Sequence, residues 1–162
     1  SVVFIGPCVA KKLEASRRSV RSDVDFVVTF EELQAMFDAK EIDLSQYEAE
    51  SSFHDATGAG RGYACAGGVA EAIEKCINEY YPDVEVSIEH AEGLAECKKT
   101  LTLAKAGRLN GCLIEGMGCP GGCIAGAGTN IPVLKAKKDL AAYVKNSTTP
   151  IPPKELEEIE LE

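Results

Sequence analysis

Residues 115–129 read EGMGCPGGCIAGAGT, and this glycine-rich stretch with two cysteines constrains the chain more than any other. If Cys123 lies in the first turn of a helix, it shares one face with Cys119, with Cβ atoms roughly 5–6 Å apart. The stretch also contains six glycines: Gly116, Gly118, Gly121, Gly122, Gly126 and Gly128. Glycine has no Cβ, so the backbone could approach a bulky inorganic group and donate N–H bonds to its sulfurs. The spacing therefore predicts two thiolates that reach one metal cluster. A glycine-rich turn with two ordinary buried cysteines is the alternative that the spacing leaves open.

Charge and cysteine content limit the classes of partner and the compartment. The 162 residues are long enough for one domain with a sizeable core. The net charge of −9 argues against nucleic acid or anionic lipid as the main partner. No apolar run approaches the roughly 20 residues of a membrane span. Seven cysteines without a secretory signal predict a reducing cytoplasm, with the thiols used for metal binding or packing.

The order of apolar and polar runs predicts an α/β fold. Strands are expected at residues 2–5, 24–28, 84–88 and 111–114, and helices after Cys8 and at 29–39, 67–81, 94–106 and 134–144. Thr29 and Glu32 fit a capping box at the start of the second helix. This alternation predicts a mostly parallel sheet of about four strands with helices on both faces. Ligand sites lie beyond the carboxyl ends of such strands, so Cys8 and Cys119 are expected at one rim.

Residues 40–62 form a polar stretch that ends in TGAGRG. This sequence matches neither the dinucleotide fingerprint nor the phosphate-binding P-loop. A flexible connection is therefore predicted here.

Three segments resemble one known family. GPCVAKKLE at residues 6–14 is similar to the P-C-x-x-K-x-x-E motif of the iron-only ([FeFe]) hydrogenase catalytic domain. IEGMGCPGGCIAGAG at 114–128 resembles its E-x-M-x-C-x-x-G-C motif, and GYACAGGVAEAI at 62–73 resembles its aromatic-G-A-T-G-G-V-x-E-A segment. The resemblance extends over about residues 1–145.

The resemblance implies a cofactor and a set of residues that hold it. In this family a [4Fe–4S] cubane is joined to a two-iron unit that carries carbonyl and cyanide. Cys8 and Cys119 match cubane ligands, and Cys123 matches the cysteine that bridges the two parts. Lys11 matches a lysine that hydrogen-bonds a cyanide, with a solvated surface lysine as its alternative. Met117 matches a methionine packed on the two-iron unit. Soft thiolates, an ammonium donor and a thioether suit such a group.

The chain also departs from the family pattern. Gly6 replaces a methionine, and Thr129-Asn130 replaces Gln-Pro. A T-S-C-C-P-type motif, which in the family supplies the fourth cubane ligand and a proton-transferring cysteine, lies upstream of the matched segments and is absent here. These departures resemble the hydrogen-sensing members.

The resemblance gives the following expectations for function. Residues 1–146 are the C-terminal part of a hydrogenase catalytic domain, and 147–162 are a Pro-rich, acidic tail whose Leu161-Glu162 is a candidate vector scar. The chain starts without Met and is expected to be a piece of a longer protein that interconverts protons and hydrogen, or senses hydrogen. Alone it is expected to be inactive and without the clusters. Expected partners are the missing N-terminal part of the domain and an electron carrier, either ferredoxin or upstream iron–sulfur domains.

Two other functions compete with this hypothesis. The first is a non-enzymatic iron–sulfur scaffold or assembly protein of the same superfamily. The second is a structural zinc domain, which three spread cysteines fit poorly because zinc favours four closed ligands. The remaining cysteines are predicted to pack in the core: Cys65, Cys76, Cys97 and Cys112. His54 and His90 are predicted to lie at the surface.

Overall fold

The N-terminal part of the chain forms a β-α-β unit. The structure is a computed structural model, and it describes residues 1–17, 19, 23–48 and 56–154. Strand β1 (Val3–Gly6) leads through helix α1 (Ala10–Ser16) to strand β2 (Phe26–Thr29). The strands pair in parallel, with Val3 opposite Phe26. Parallel neighbours need a crossover connection, and α1 lies in it.

Helix α2 (Phe30–Ala39) begins with the capping box that the sequence predicts. Thr29 Oγ1 accepts a hydrogen bond from Glu32 N at 3.2 Å, and Thr29 N donates to Glu32 Oε2 at 2.9 Å. Lys12 of α1 donates to the same carboxylate at 2.8 Å. The bonds from Lys12 and Thr29 lower the pKa of Glu32 below its usual 4.5. The bonds to ionised Glu32 stabilise the folded chain at pH values above 4.5. This stabilisation is lost as the pH falls through the lowered pKa of Glu32.

Residues 56–64 are more regular than the sequence predicts. A 3₁₀ turn at Leu44–Gln46 is followed by helix α3 (Gly58–Arg61), a second 3₁₀ turn at Gly62–Ala64 and helix α4 (Gly68–Tyr80). The prediction of a flexible connection over residues 40–62 is therefore wrong at Gly58–Arg61, where α3 forms. Its first amides, Gly58 N and Ala59 N, donate to the carbonyls of Thr149 and Pro150 at 2.8 and 2.9 Å. These partners lie about 90 residues away, so local sequence could not reveal them.

The C-terminal half contains a second β-α-β unit. Strand β3 (Ser87–Glu92), helix α5 (Leu94–Lys105) and strand β4 (Cys112–Met117) follow one another, and helix α6 is Val133–Lys145. β3 and β4 pair in parallel from Ser87 opposite Cys112 to Glu92 opposite Met117. Both strands extend three or four residues beyond the predicted ends, because backbone pairing continues through polar residues that interrupt the apolar pattern.

The two pairs of strands do not share a sheet. The α/β class and the parallel pairing are confirmed, but the described chain has two two-stranded sheets, β1-β2 and β3-β4, in place of one sheet of about four strands. The prediction that β1 and β4 share one carboxyl rim is wrong. The apolar periodicity of the sequence identifies strands, but it does not determine which strands pair within one sheet.

Buried residues in the described chain are mostly small. The buried apolar residues are Ala59, Ala70, Ala72, Ala91 and Ala136, and no large side chain within the described ranges is fully buried. The accessible surface is 12505 Å² for 17.2 kDa, whereas a compact monomer of this mass exposes roughly 7,800 Å². None of the described helices is both long and apolar enough to span a membrane.

One face of the first sheet is apolar and half exposed. Phe4 and Val27 line a cleft with residues of α1. Side chains alternate along a strand, so Val3, Ile5 and Phe26 lie on the opposite side. These three residues, called the open face below, are 49%, 48% and 60% exposed. Full helix cover on both faces of the sheet, as predicted, is not observed here.

The two units meet at the glycine-rich stretch. Gly128 N donates to Pro7 O at 2.9 Å, and Glu31 N donates to Gly128 O at 3.3 Å. A Cβ built on Gly126 would collide with Pro7 O, and one on Gly128 would lie 2.5 Å from Thr29 Cβ. These glycines therefore allow the close approach of two backbone segments.

This close approach gives a prediction about stability. Gly126→Ala should lower the free energy of unfolding by about 1–3 kcal/mol, because the added methyl group overpacks the contact with Pro7. Gly126 has φ −62°, so backbone strain does not contribute. Chemical denaturation measures the change.

Gly62→Ala is the matched control. Its φ is −75°, and the nearest atom to an added Cβ is Val144 Cγ2 at 3.9 Å. The control should stay within about 0.5 kcal/mol of the original chain. Equal unfolding midpoints for the two variants would contradict the packing argument.

Candidate metal centre

Cys8 lies in the turn between β1 and α1. Pro7 precedes it, α1 begins at Ala10, and the Cys8 side chain is partly buried. One turn further along, Lys11 donates to both carboxylate oxygens of Glu14, at 2.9 and 2.8 Å. The motif at 6–14 thus places a thiol and a carboxylate-bound ammonium at the start of one short helix.

The pKa of Lys11 is affected by a cysteine from each of the two cysteine motifs. The hydrogen bond to Glu14 raises the pKa of Lys11 above 10.5, and the negative charge of the Cys8 and Cys123 thiolates adds to the rise. Burial opposes it. The electrostatic environment of Lys11 thus includes both Cys8 and Cys123. The ammonium therefore stays charged throughout neutral pH.

The loop between Cys119 and Cys123 is a tight turn. Gly122 N donates to Cys119 O at 3.0 Å, and Gly126 N donates to Cys123 O at 2.9 Å. Gly121 and Gly122 have φ values of +93° and +90°, which side chains with a Cβ rarely adopt. Cys123 begins a 3₁₀ turn, Cys123–Ala125.

The helical relation predicted between Cys119 and Cys123 is wrong. The two left-handed glycines separate Cys119 from the turn that contains Cys123, so the two residues are not i and i+4 of one helix. The predicted reason for the glycines also changes in part. A Cβ on Gly122 would lie 2.6 Å from Ala64 O, which belongs to the turn before α4. Gly122 and Gly126 are required by contact with protein backbone, and Gly128 by contact with the Thr29 side chain.

Met117 ends β4 and leads into this loop. Its carbonyl accepts hydrogen bonds from Gly93 N at 2.8 Å and from Cys97 Sγ at 3.7 Å. Its side chain is partly buried, in a cleft whose lining includes Val69 and Ile73 of α4. The structure thus gives Met117 an apolar setting two residues before Cys119.

The candidate ligands are thiols, which are the ligands that iron–sulfur clusters take. Within the described ranges, no three His, Cys, Asp or Glu side chains are grouped closely enough to hold one metal ion. In a cubane each of four irons takes its own thiolate, so the ligands are spread around the cluster. Cys8, Cys119 and Cys123 form no disulfide, and Cys123 is exposed. These thiols, two of them beside Lys11, are compatible with such a cluster.

Sequence reasoning missed two acidic residues that hold this region. Glu115, buried with its side chain 8% exposed, accepts from Val69 N at 3.0 Å and Ala70 N at 3.3 Å in the first turn of α4. Glu92 Oε2 accepts from Gly121 N at 2.6 Å. The absence of a capping side chain at Gly67 was the one available signal, because an uncapped helix needs acceptors from elsewhere.

Among the described residues, His90 and the other cysteines belong to no group of three or more possible metal ligands. The His90 ring, with a side chain 50% exposed, lies 3.2 Å from Glu115 Oε2, a partner that the sequence did not predict. His54 lies outside the described residues. The cysteines predicted to be in the core are partly buried: Cys65, Cys76, Cys97 and Cys112.

The parallel β-α-β units define an α/β protein, with free cysteines in the loops that follow β1 and β4. The chain matches the family model described as "Iron only hydrogenase large subunit, C-terminal domain" over residues 1–127. It therefore belongs to the iron-only hydrogenase large-subunit family.

Characterised relatives are much longer than this chain. It is 29% identical over 161 residues to the periplasmic [Fe] hydrogenase large subunit of Nitratidesulfovibrio vulgaris, covering 78% of this chain and 38% of the relative. It is 29% identical over 188 residues to the NADP-reducing hydrogenase subunit HndD of Solidesulfovibrio fructosivorans, covering 93% and 32%. Iron hydrogenase 1 of Clostridium pasteurianum is 28% identical over 159 residues, covering 78% and 28%. The chain spans about a third of the length of these relatives.

Solved structures support the fold. An [FeFe]-hydrogenase studied for oxygen inactivation of its H cluster superposes with a TM-score of 0.58 at 18% identity, covering 91% of this chain and 54% of that chain. A variant [FeFe]-hydrogenase from Chlamydomonas reinhardtii gives a TM-score of 0.58 at 20% identity, with the same coverage. At such low identity the likeness concerns the fold alone.

The exposure of the thiols gives a prediction about reactivity. Cys123 is exposed, whereas the other six cysteines are partly buried. Iodoacetamide should therefore modify Cys123 several-fold faster than Cys76 or Cys112 in the reduced, folded chain, because access limits the reaction. Peptide mass spectrometry after timed quenching measures the rates. Denaturant should remove the difference, and equal rates in the folded chain would contradict the placement of Cys123.

Proposed function

We propose that this chain is the C-terminal part of an iron-only hydrogenase catalytic domain and supplies three thiolates to the active cluster. Family membership covers residues 1–127, whereas the activity belongs to the longer protein that the chain completes. The observation that carries the proposal is the hydrogen bond from Gly128 N to Pro7 O. It joins the two cysteine-bearing segments, with Lys11 near a thiol from each.

The three cysteines have different roles in this proposal. Cys8 and Cys119 bind a [4Fe–4S] cubane, and Cys123 bridges the cubane to a two-iron carbonyl and cyanide unit. Thiolates are the preferred ligands of iron–sulfur clusters. The bound group supplies the redox chemistry that interconverts protons, electrons and hydrogen. The fourth cubane thiolate and the proton-transferring cysteine come from the upstream part of the domain.

Lys11 is proposed to bind an anionic ligand of the two-iron unit. An ammonium has three N–H donors, and Glu14 accepts from Lys11 with two oxygens, which leaves donor capacity for a further acceptor. The raised pKa of Lys11 keeps the group charged. A lysine held in this way loses little freedom when it binds an anion, which supports the site role over that of a solvated lysine.

Met117 is proposed to form an apolar wall of the same pocket. Its thioether is polarizable and adapts to irregular surfaces, and its position two residues before Cys119 places it at the start of the loop. A non-enzymatic iron–sulfur scaffold of the same superfamily remains the second hypothesis. Retention of both Lys11 and Met117 favours the hydrogenase, because these residues serve the two-iron unit and not the cubane.

The proposed partner is the upstream part of the same domain, and it covers the open face. The buried apolar residues are alanines, and Val3, Ile5 and Phe26 are about half exposed. Two strands with an uncovered apolar face are marginal in water, and the relatives contain additional chain that could cover it. Electrons are proposed to arrive from ferredoxin or from upstream iron–sulfur domains. The net charge of −9 disfavours nucleic acid or anionic membranes.

The proposed compartment is the cytoplasm. All seven cysteines are free of disulfides, which suits a reducing setting. One relative is named as periplasmic, so fractionation of the native cells is the direct test.

The ligand assignment predicts the effect of removing single thiols. In the complete catalytic domain, expressed without any upstream iron–sulfur domain and reconstituted anaerobically with iron and sulfide, Cys8→Ala or Cys119→Ala should abolish the broad visible absorption of the cubane. Cys76→Ala and Cys112→Ala are the controls and should leave it unchanged. Equal losses in all four variants would contradict the assignment.

The chain by itself is predicted to be inactive in an anaerobic assay that uses a reduced dye as electron donor. It should evolve no more hydrogen than the dye does without protein. A stable cubane takes four thiolates, and this chain supplies three. In this family, dedicated maturation proteins are expected to deliver the two-iron unit. Co-expression of the chain with these proteins and with the upstream part of the domain should restore turnover. Turnover by the chain alone would contradict the proposal.

The same co-expression tests the open face. Ile5→Asp should weaken capture of the upstream part in a pull-down, because it places a charge in the apolar contact. Leu134→Asp on α6, a residue 84% exposed, is the control and should bind normally. Equal binding by both variants would exclude the open face as the docking surface.

A further inference from the structure

The end of β3 supports the turn that carries Cys119. The pairing of β3 with β4 ends at Glu92 opposite Met117, and Gly93 N donates to Met117 O at 2.8 Å. Beyond Met117 the chain turns back over the end of β3. A Cβ on Gly93 would lie 3.6 Å from Pro120 Cγ. The end of β3, at Glu92 and Gly93, therefore packs against this turn.

Glu92 makes the charged contact in this arrangement. Its Oε2 accepts a hydrogen bond from Gly121 N at 2.6 Å, a short bond of the charge-assisted kind. On the other side of the turn, Gly121 O accepts from Ala66 N at 3.2 Å. Gly121 is thus held through its N–H by β3 and through its carbonyl by the segment before α4.

This restraint acts on Gly121, a loop residue with high conformational freedom. Gly121 and Gly122 have positive φ, and glycine gains many alternative conformations when it is released. Gly121 lies midway between Cys119 and Cys123, so rotation at this residue changes the relative direction of the two thiols. The Glu92 carboxylate on Gly121 N therefore restricts the geometry of the pair.

We infer that Glu92 is a positioning residue of the metal centre: its carboxylate holds Gly121 and thereby fixes Cys119 relative to Cys123. The effect of Glu92 on the cluster rests on the proposed function. The effect of Glu92 on the turn rests only on the hydrogen bonds and contacts given above. Glu92 acts through Gly121 and does not itself bind the cluster.

The first test uses the iron-free chain. Amide hydrogen exchange at Gly121, measured by NMR, should accelerate about tenfold in Glu92→Ala, because the N–H loses its acceptor. Glu92→Gln retains a neutral acceptor of the same length and should give a smaller increase. Glu85→Ala changes another exposed acidic residue, just before β3, and should leave Gly121 unchanged. Exchange at core amides such as Ala72 reports whether a variant unfolds as a whole.

Two outcomes would overturn the inference at this stage. One is the same Gly121 exchange rate in Glu92→Ala as in Glu85→Ala. The other is equal acceleration at Gly121 and Ala72 in both Glu92 variants, which would make Glu92 a general stabiliser of the fold.

The second test uses the reconstituted full-length protein and reads the cluster directly. The electron paramagnetic resonance spectrum of the reduced cubane should change in Glu92→Ala and return toward the original in Glu92→Gln. An unchanged spectrum in Glu92→Ala would overturn the inference for the metal centre. Failure of the unsubstituted protein to form any cluster would instead contradict the proposed function and leave the exchange result at Gly121 intact.

Discussion

The hydrogen bond between Gly128 N and Pro7 O joins the two halves of the described chain. It connects the turn after β1 with the loop after β4, although these strands belong to different sheets. The bond requires two backbones to approach closely, and Gly126 and Gly128 allow this approach because a Cβ at either position would collide. The neighbourhood of Cys8 and Cys123 around Lys11 depends on this contact and not on a shared sheet edge.

Three acidic side chains accept hydrogen bonds from backbone amides in this part of the fold. Glu32 caps α2, Glu115 accepts the first amides of α4, and Glu92 accepts the amide of Gly121. The net charge of −9 suggests only a solvated surface, but these carboxylates have specific structural partners. Each satisfies backbone donors that neither a helix nor a strand can satisfy, so the charge partly serves to position the loops.

The packing leaves an apolar face exposed that the proposed partner would cover. Within the part of the chain that the structure describes, the buried apolar residues are alanines, which contribute little apolar area, and the larger side chains of the open face are about half exposed. Burial of apolar area is the main driving force of folding and association. A partner that covers the open face would add this area, and the same partner is proposed to complete the ligand set of the cluster.

The sequence by itself determined the local features. The α/β class and the capping box of Thr29 and Glu32 followed from the pattern and type of neighbouring residues, and the cysteine motifs indicated the family by resemblance. Only the tertiary structure decided that the strands form two sheets, that α3 is helical, that Glu115 and Glu92 serve distant amides, and that the glycines pack on Pro7 and Ala64. These features rest on contacts between residues far apart in the chain, and no local pattern encodes which distant backbone groups will meet.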